Sequence, residues 1–67
     1  KVNVKIGDFV IVKENAIIGN NVIVGNNVTI GNNVVIQDNV IIKDFAYIED
    51  NSFIEKNSIV DNEYVLN

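Results

Sequence analysis

A period of six residues runs the length of the chain and constrains its fold more tightly than anything else in the sequence. Counting by sixes from Ile6 gives Ile6, Val12, Ile18, Val24, Ile30, Ile36, Ile42, Ile48, Ile54, Val60 and Leu66, an aliphatic residue at every step. Two residues before each lies a second series: Val4, Val10, Ala16, Val22, Val28, Val34, Val40, Ala46, Ser52, Ser58 and Tyr64, small or β-branched until its last member. Such repetition decides the architecture, so it is read before any helix or strand is assigned. Residues two apart point to the same side of a strand. Val22 and Val24, or Val40 and Ile42, therefore share a buried face, and Ile23 or Ile41 between them points away. Each phrase is expected to hold a strand of three residues. A helix does not fit, because the apolar triplets do not track a 3.6 period and Gly-Asn-Asn is a poor helix former.

The residues between triplets carry turn chemistry. Asn15, Asn21, Asn27, Asn33, Asn39, Asn51 and Asn57 occupy one repeated place, and asparagine enters the left-handed backbone region more readily than other non-glycine residues. Gly7, Gly19, Gly25 and Gly31 occupy the first turn place, where a missing Cβ is expected to ease a sharp bend. Strands this short, with a corner every six residues, cannot pair as hairpins while keeping the inward residues on one side. The chain must coil. The Gly-Asn-Asn corners do not read as a phosphate cradle, since no Lys-Ser or Lys-Thr follows them and no helix opens after them.

These residues resemble the hexapeptide-repeat transferase family, whose phrase is an aliphatic residue, often glycine, two turn residues, a small residue and a variable one. The resemblance covers Val4 to Leu66 in eleven consecutive copies. It implies an all-β fold: a single-stranded left-handed parallel β-helix, a β-solenoid of triangular section with three strands and eighteen residues per coil. The left hand comes from the resemblance alone, because the general rule for parallel crossovers is right-handed. At eighteen residues per coil the chain holds about 3.5 coils, spaced about 4.8 Å apart, each expected to bury six side chains.

Regularity falls off toward the C-terminus. After Ile36 the glycines give way to Gln37, Lys43, Glu49, Glu55 and Asp61, and Phe9 and Phe45 replace asparagine at one corner two coils apart. Tyr64 is too large for a slot otherwise filled by Val, Ala or Ser and is expected to close the last coil as a lid. At the other end Lys1 to Ile6 alternates like an ordinary strand, its lysines blunting the first edge. No linker, low-complexity tail or second domain is visible, so residues 1–67 read as a single hexapeptide-repeat domain.

A chain of 67 residues buries a modest share of its surface and needs regularity or partners to be stable. With no cysteine, neither disulfides nor thiolate metal sites can supply that support. A net charge of −4, five lysines and no arginine argue against nucleic acid or an anionic membrane as partner. No apolar run approaches the ~20 residues of a spanning helix, and the sequence reads as soluble. Lys1 in place of an initiator methionine fits a processed chain, an excised piece or part of something longer. The compartment is left open, with the cytoplasm favoured by the resemblance.

Enzymes of the family transfer acyl groups, usually from acetyl-CoA or an acyl carrier protein, with a histidine as general base between trimer subunits. That role needs a side chain with a pKa near the working pH, and this chain has no histidine. It also lacks the loops that shape acceptor sites in family enzymes. No catalytic residue is therefore assigned, and no cofactor is expected unless an acyl-CoA-dependent reading holds. The three-histidine zinc site of the carbonic-anhydrase branch is absent for the same reason. Sugar nucleotidyltransferases carry a β-helix of this kind at their C-terminus, where it trimerises or regulates. Asp8 and Asp44, about 9–10 Å apart at coil spacing, are too far apart to ligate one metal. Asp61 and Glu63 flank one corner and read as solvated acidic surface, so no metal site is expected. Ser52 and Ser58 are core fillers with no base to activate them. Thr29 is the only threonine, so there is no ice-binding row.

The outward strand positions are unusual. In register, one face carries Lys5, Ile23, Ile41 and Ile59; a second carries Ile11, Thr29, Tyr47 and Val65; the third carries Ile17, Val35 and Phe53. β-Propensity favours such residues on any pleated surface, but apolar ladders on flat faces also mark buried contacts. The expected interface residues are Ile23, Ile41 and Ile59, then Ile17, Val35 and Phe53. The chain is expected to be a homo-oligomer, a trimer by family habit, serving as a scaffold. Two alternatives stand beside this: a portion of an acyltransferase or sugar nucleotidyltransferase, and a fibre built by end-to-end stacking of open coils.

Overall fold

The computed structural model describes residues 3–61. Ten short strands run β1 (Lys5–Ile6), β2 (Ile11–Val12), β3 (Ile17–Ile18), β4 (Ile23–Val24), β5 (Thr29–Ile30), β6 (Val35–Ile36), β7 (Ile41–Ile42), β8 (Tyr47–Ile48), β9 (Phe53–Ile54) and β10 (Ile59–Val60). They form three parallel sheets, ordered β1-β4-β7-β10, β2-β5-β8 and β3-β6-β9. The architecture is a parallel β-solenoid with three strands per coil, and the described residues contain no helix. Register is constant: Lys5 lies against Ile23, Ile23 against Ile41 and Ile41 against Ile59, each step being 18 residues.

Strand geometry covers two residues of each triplet instead of the expected three. The inner residue leaves a left-handed corner directly before it, so it enters the ladder through its carbonyl. Lys5 N–H donates to Val22 O and Ile23 N–H to Val40 O, both at 2.9 Å.

The corner series is the repeated device that coils the chain. Asn3, Phe9, Asn15, Asn21, Asn27, Asn33, Asn39, Phe45, Asn51 and Asn57 all have φ between 59° and 65°. Asn3 thus belongs to a corner, which overturns the reading of Lys1 to Ile6 as one continuous strand; only Lys5–Ile6 is strand, and Lys1 and Val2 lie outside the described residues.

Two stacked aliphatic columns per sheet fill the interior. Ile30, Ile36, Ile42, Ile48 and Ile54 are at most 1 % exposed, whereas at the same place in the repeat Ile6 is 50 % and Val12 42 % exposed. The first coil therefore does not bury its six side chains as expected, because among the described residues it has a neighbouring coil on one side only. Ser52 is buried as expected of a core filler, and its hydroxyl donates to Glu49 O at 2.7 Å. The lid residue Tyr64, together with Glu63, Val65 and Leu66, lies outside the described residues.

Candidate interaction surfaces

Alternation turns every second strand residue outward, and the constant register stacks those residues into three ladders. On the first sheet Ile23, Ile41 and Ile59 follow one another across β4, β7 and β10, and all three are exposed. On the third sheet Ile17, Val35 and Phe53 follow across β3, β6 and β9; Ile17 and Phe53 are exposed and Val35 is half-buried. Ile11, Thr29 and Tyr47 form the ladder of the second sheet. The structure brings each expected set together on one face.

The corners hold most of the polar groups, and their geometry is that of a structural staple. Asn26 Oδ1 accepts the Asp8 N–H, Asp38 Oδ1 the Asn20 N–H and Asp44 Oδ1 the Asn26 N–H, each at 2.8 Å. Asp50 Oδ1 accepts the Asn32 N–H at 2.7 Å. The corner carbonyls are met by the following residue of the next coil, as in Asn27 N–H to Asp8 O at 2.8 Å and Phe45 N–H to Asn26 O at 2.9 Å. Both backbone groups of a corner residue such as Asp8 are thereby paired by the next coil, which is what lets corners stack without orphaned polar atoms. Asn26 lies between Asp8 and Asp44, accepting the Asp8 N–H on its side-chain oxygen and donating its own backbone N–H to Asp44 Oδ1. The sequence alone assigns Asp38, Asp44 and Asp50 no role, and this contribution comes from the structure.

The glycines serve the same staple. None of the described glycines has positive φ, so a sharp bend is not what they provide. A Cβ built on Gly7, Gly19, Gly25 or Gly31 would overlap Asn26, Asp38, Asp44 or Asp50 Oδ1 respectively, the residue nineteen positions ahead. The missing side chain leaves room for the acceptor of the next coil. Where Lys13 takes the glycine place, the corresponding bond from Glu14 N–H to Asn32 Oδ1 lengthens to 3.1 Å. Where Gln37 takes it and the next coil offers Lys56, the donor and acceptor exchange coils: Gln37 Oε1 accepts the Lys56 N–H at 3.2 Å.

A shallow groove of about 410 Å³ follows the third sheet, lined by Ile17, Gly19, Val35, Gln37, Asp38 and Lys56. Its acceptors Gln37 Oε1 and Asp38 Oδ1 already bond backbone amides. Asp61 pairs with Lys43 Nζ at 3.6 Å between exposed side chains, a contact of small energetic weight. No group of three His, Cys, Asp or Glu side chains suited to a metal occurs among the described residues. The polar side chains thus work on the backbone, and the outward apolar ladders and corners remain as surfaces.

Comparison with protein families matches the GMPPB C-terminal domain over residues 1–67. The chain belongs to that family. No curated protein and no solved structure matches it.

One corner of the chain departs from the others. Eight of the ten described left-handed positions are asparagine, and the two exceptions, Phe9 and Phe45, sit on the same corner with Asn27 between them. They are 82 % and 64 % exposed. A residue with a Cβ loses about 1–2 kcal/mol in this backbone region, and a phenylalanine has no short polar side chain to offset it. The sequence shows the two substitutions plainly, but only the φ values of 60° and 65° show that the backbone does not relax around them.

Proposed function

We propose that this chain is a β-helical scaffold and oligomerisation module of the hexapeptide-repeat type, packed as a homotrimer and without a catalytic base of its own. The observation that carries the reading is the in-register ladder of exposed Ile23, Ile41 and Ile59 on a flat parallel sheet. A contiguous apolar strip of this kind favours burial against another surface. Ile17, Val35 and Phe53 supply the second contact, because a ring of three subunits joins one patch of each copy to a different patch of the next. The left-handed winding belongs to the same reading.

Ile41→Glu places a charge in the middle of the first ladder. It should dissociate the oligomer to monomers in light scattering and leave the β circular-dichroism signal in place, since the side chain points away from the core. Unchanged assembly would clear that face and shift the contact to Ile17, Val35 and Phe53.

The family match supports a second reading, in which the module is the β-helical part of a sugar nucleotidyltransferase and the residues that do chemistry lie elsewhere in the protein. In that case the trimer arranges catalytic domains, and Ile41→Glu changes assembly first and activity only as a consequence. An acyl-CoA-dependent transferase makes a different demand, saturable acetyl-CoA binding. End-to-end stacking into fibres makes another, filaments visible by electron microscopy.

A further inference from the structure

Phe9 and Phe45 hold a backbone conformation that asparagine fills at every other described corner, and they hold it with their rings in solvent. Strain of this sort clusters at ligand clamps, active sites and switch regions. The two residues are separated by two coils, about 9.6 Å at ladder spacing. A polyproline II segment advances 3.1 Å per residue with three residues per turn, so its equivalent side chains recur about every 9.3 Å. Successive turns of such a segment laid along the solenoid axis would meet Phe9 and Phe45 in turn, and Asn27 between them offers an amide to the intervening backbone carbonyl.

The charge around the rings adds a preference. Asp8 and Asp44 directly precede the two phenylalanines and are exposed, Lys43 on the same corner is paired with Asp61, and the whole chain carries a net charge of −4. We propose that the corner formed by Phe9, Asn27 and Phe45 docks a proline-rich segment in the polyproline II conformation that carries lysine or arginine. Prolines three residues apart rest on the two rings, the Asn27 side chain bonds the segment's backbone, and the basic residue lies beside Asp8 or Asp44. Such segments are ordered before binding, which is why aromatic surfaces of modest size capture them. The corner links the sheet of β1, β4 and β7 to that of β2, β5 and β8 and borders the Ile23, Ile41, Ile59 ladder without containing any of its residues, so the inference does not require the trimer.

The test uses the intact protein and a fluorescent decaproline peptide flanked by arginines, with a glycine-serine peptide of equal length and charge as control. Anisotropy should show saturable binding of the proline peptide and not of the control. The double variant Phe9→Asn, Phe45→Asn should weaken binding by about tenfold or more. The same variant should raise Tm by about 8 °C or more, because asparagine relieves both corners. Equal binding of the control peptide, or no binding of the proline peptide, overturns the proposal. So does a fall in Tm, which would assign the rings to the fold. A loss of oligomer mass in the double variant overturns it as well, by assigning the corner to a contact between copies.

Discussion

Ile36→Ala is expected to lower the unfolding free energy by about 2–5 kcal/mol, the cost of a cavity in a close-packed interior. Ile6→Ala, the same change at the same place in the repeat, is expected to cost about 1 kcal/mol, since that side chain is half in water and leaves no enclosed void. Ile36 sits in β6 between β3 and β9, sealed by coils on both sides. Stability for a domain of this size is about 0.05–0.15 kcal/mol per residue, so the first substitution removes a large fraction of the total and the second does not. Chemical denaturation of both variants at one protein concentration measures the contrast. Equal costs would mean that stacking between coils is not the source of stability.

Gly25→Ala is expected to destabilise by about 1–3 kcal/mol, the usual penalty for overfilling a packed site. Removing a glycine elsewhere commonly stabilises by about 0.4–1 kcal/mol through the unfolded chain, so the sign itself is informative. The added Cβ would overlap Asp44 Oδ1 and stand 2.8 Å from Asp44 N and 3.0 Å from Lys43 C. In an Asp44→Ala background the side-chain overlap is gone and the backbone approach remains. The two substitutions should therefore couple, with Gly25→Ala costing about 0.5–1 kcal/mol less in that background, as read by a double-mutant cycle. A rise in Tm for Gly25→Ala would show that the corner has room to spare and that the staple is not tight.

Most of the architecture is legible from periodicity because every level agrees: aliphatic columns, outward ladders and asparagine corners share one period. Ile23, Ile41 and Ile59 can be placed on one face from arithmetic alone, since the 18-residue coil fixes the register. The glycines are harder to read. Within one phrase Gly25 looks like a residue that permits a bend, but its partner is Asp44, nineteen positions ahead and one coil over. That pairing is present in the sequence as Gly7 with Asn26, Gly19 with Asp38 and Gly31 with Asp50, yet it becomes visible only when phrases are compared across coils. Ile6 and Val12 illustrate the other kind of gap: their place in the repeat equals that of Ile36, and exposure depends on which coils lie beside them. Asn3 shows how alternation in a short stretch imitates a strand when one of its residues has the left-handed backbone of a corner.

The outward ladders carry the functional reading, and sedimentation equilibrium of the unaltered protein over a wide concentration range tests it most directly. A mass three times that of the chain, persisting on dilution, is the predicted result, with Ile23, Ile41 and Ile59 covered by a neighbouring copy. A single-chain mass at the highest concentration would contradict it, because those apolar faces would then stand in water with nothing to cover them.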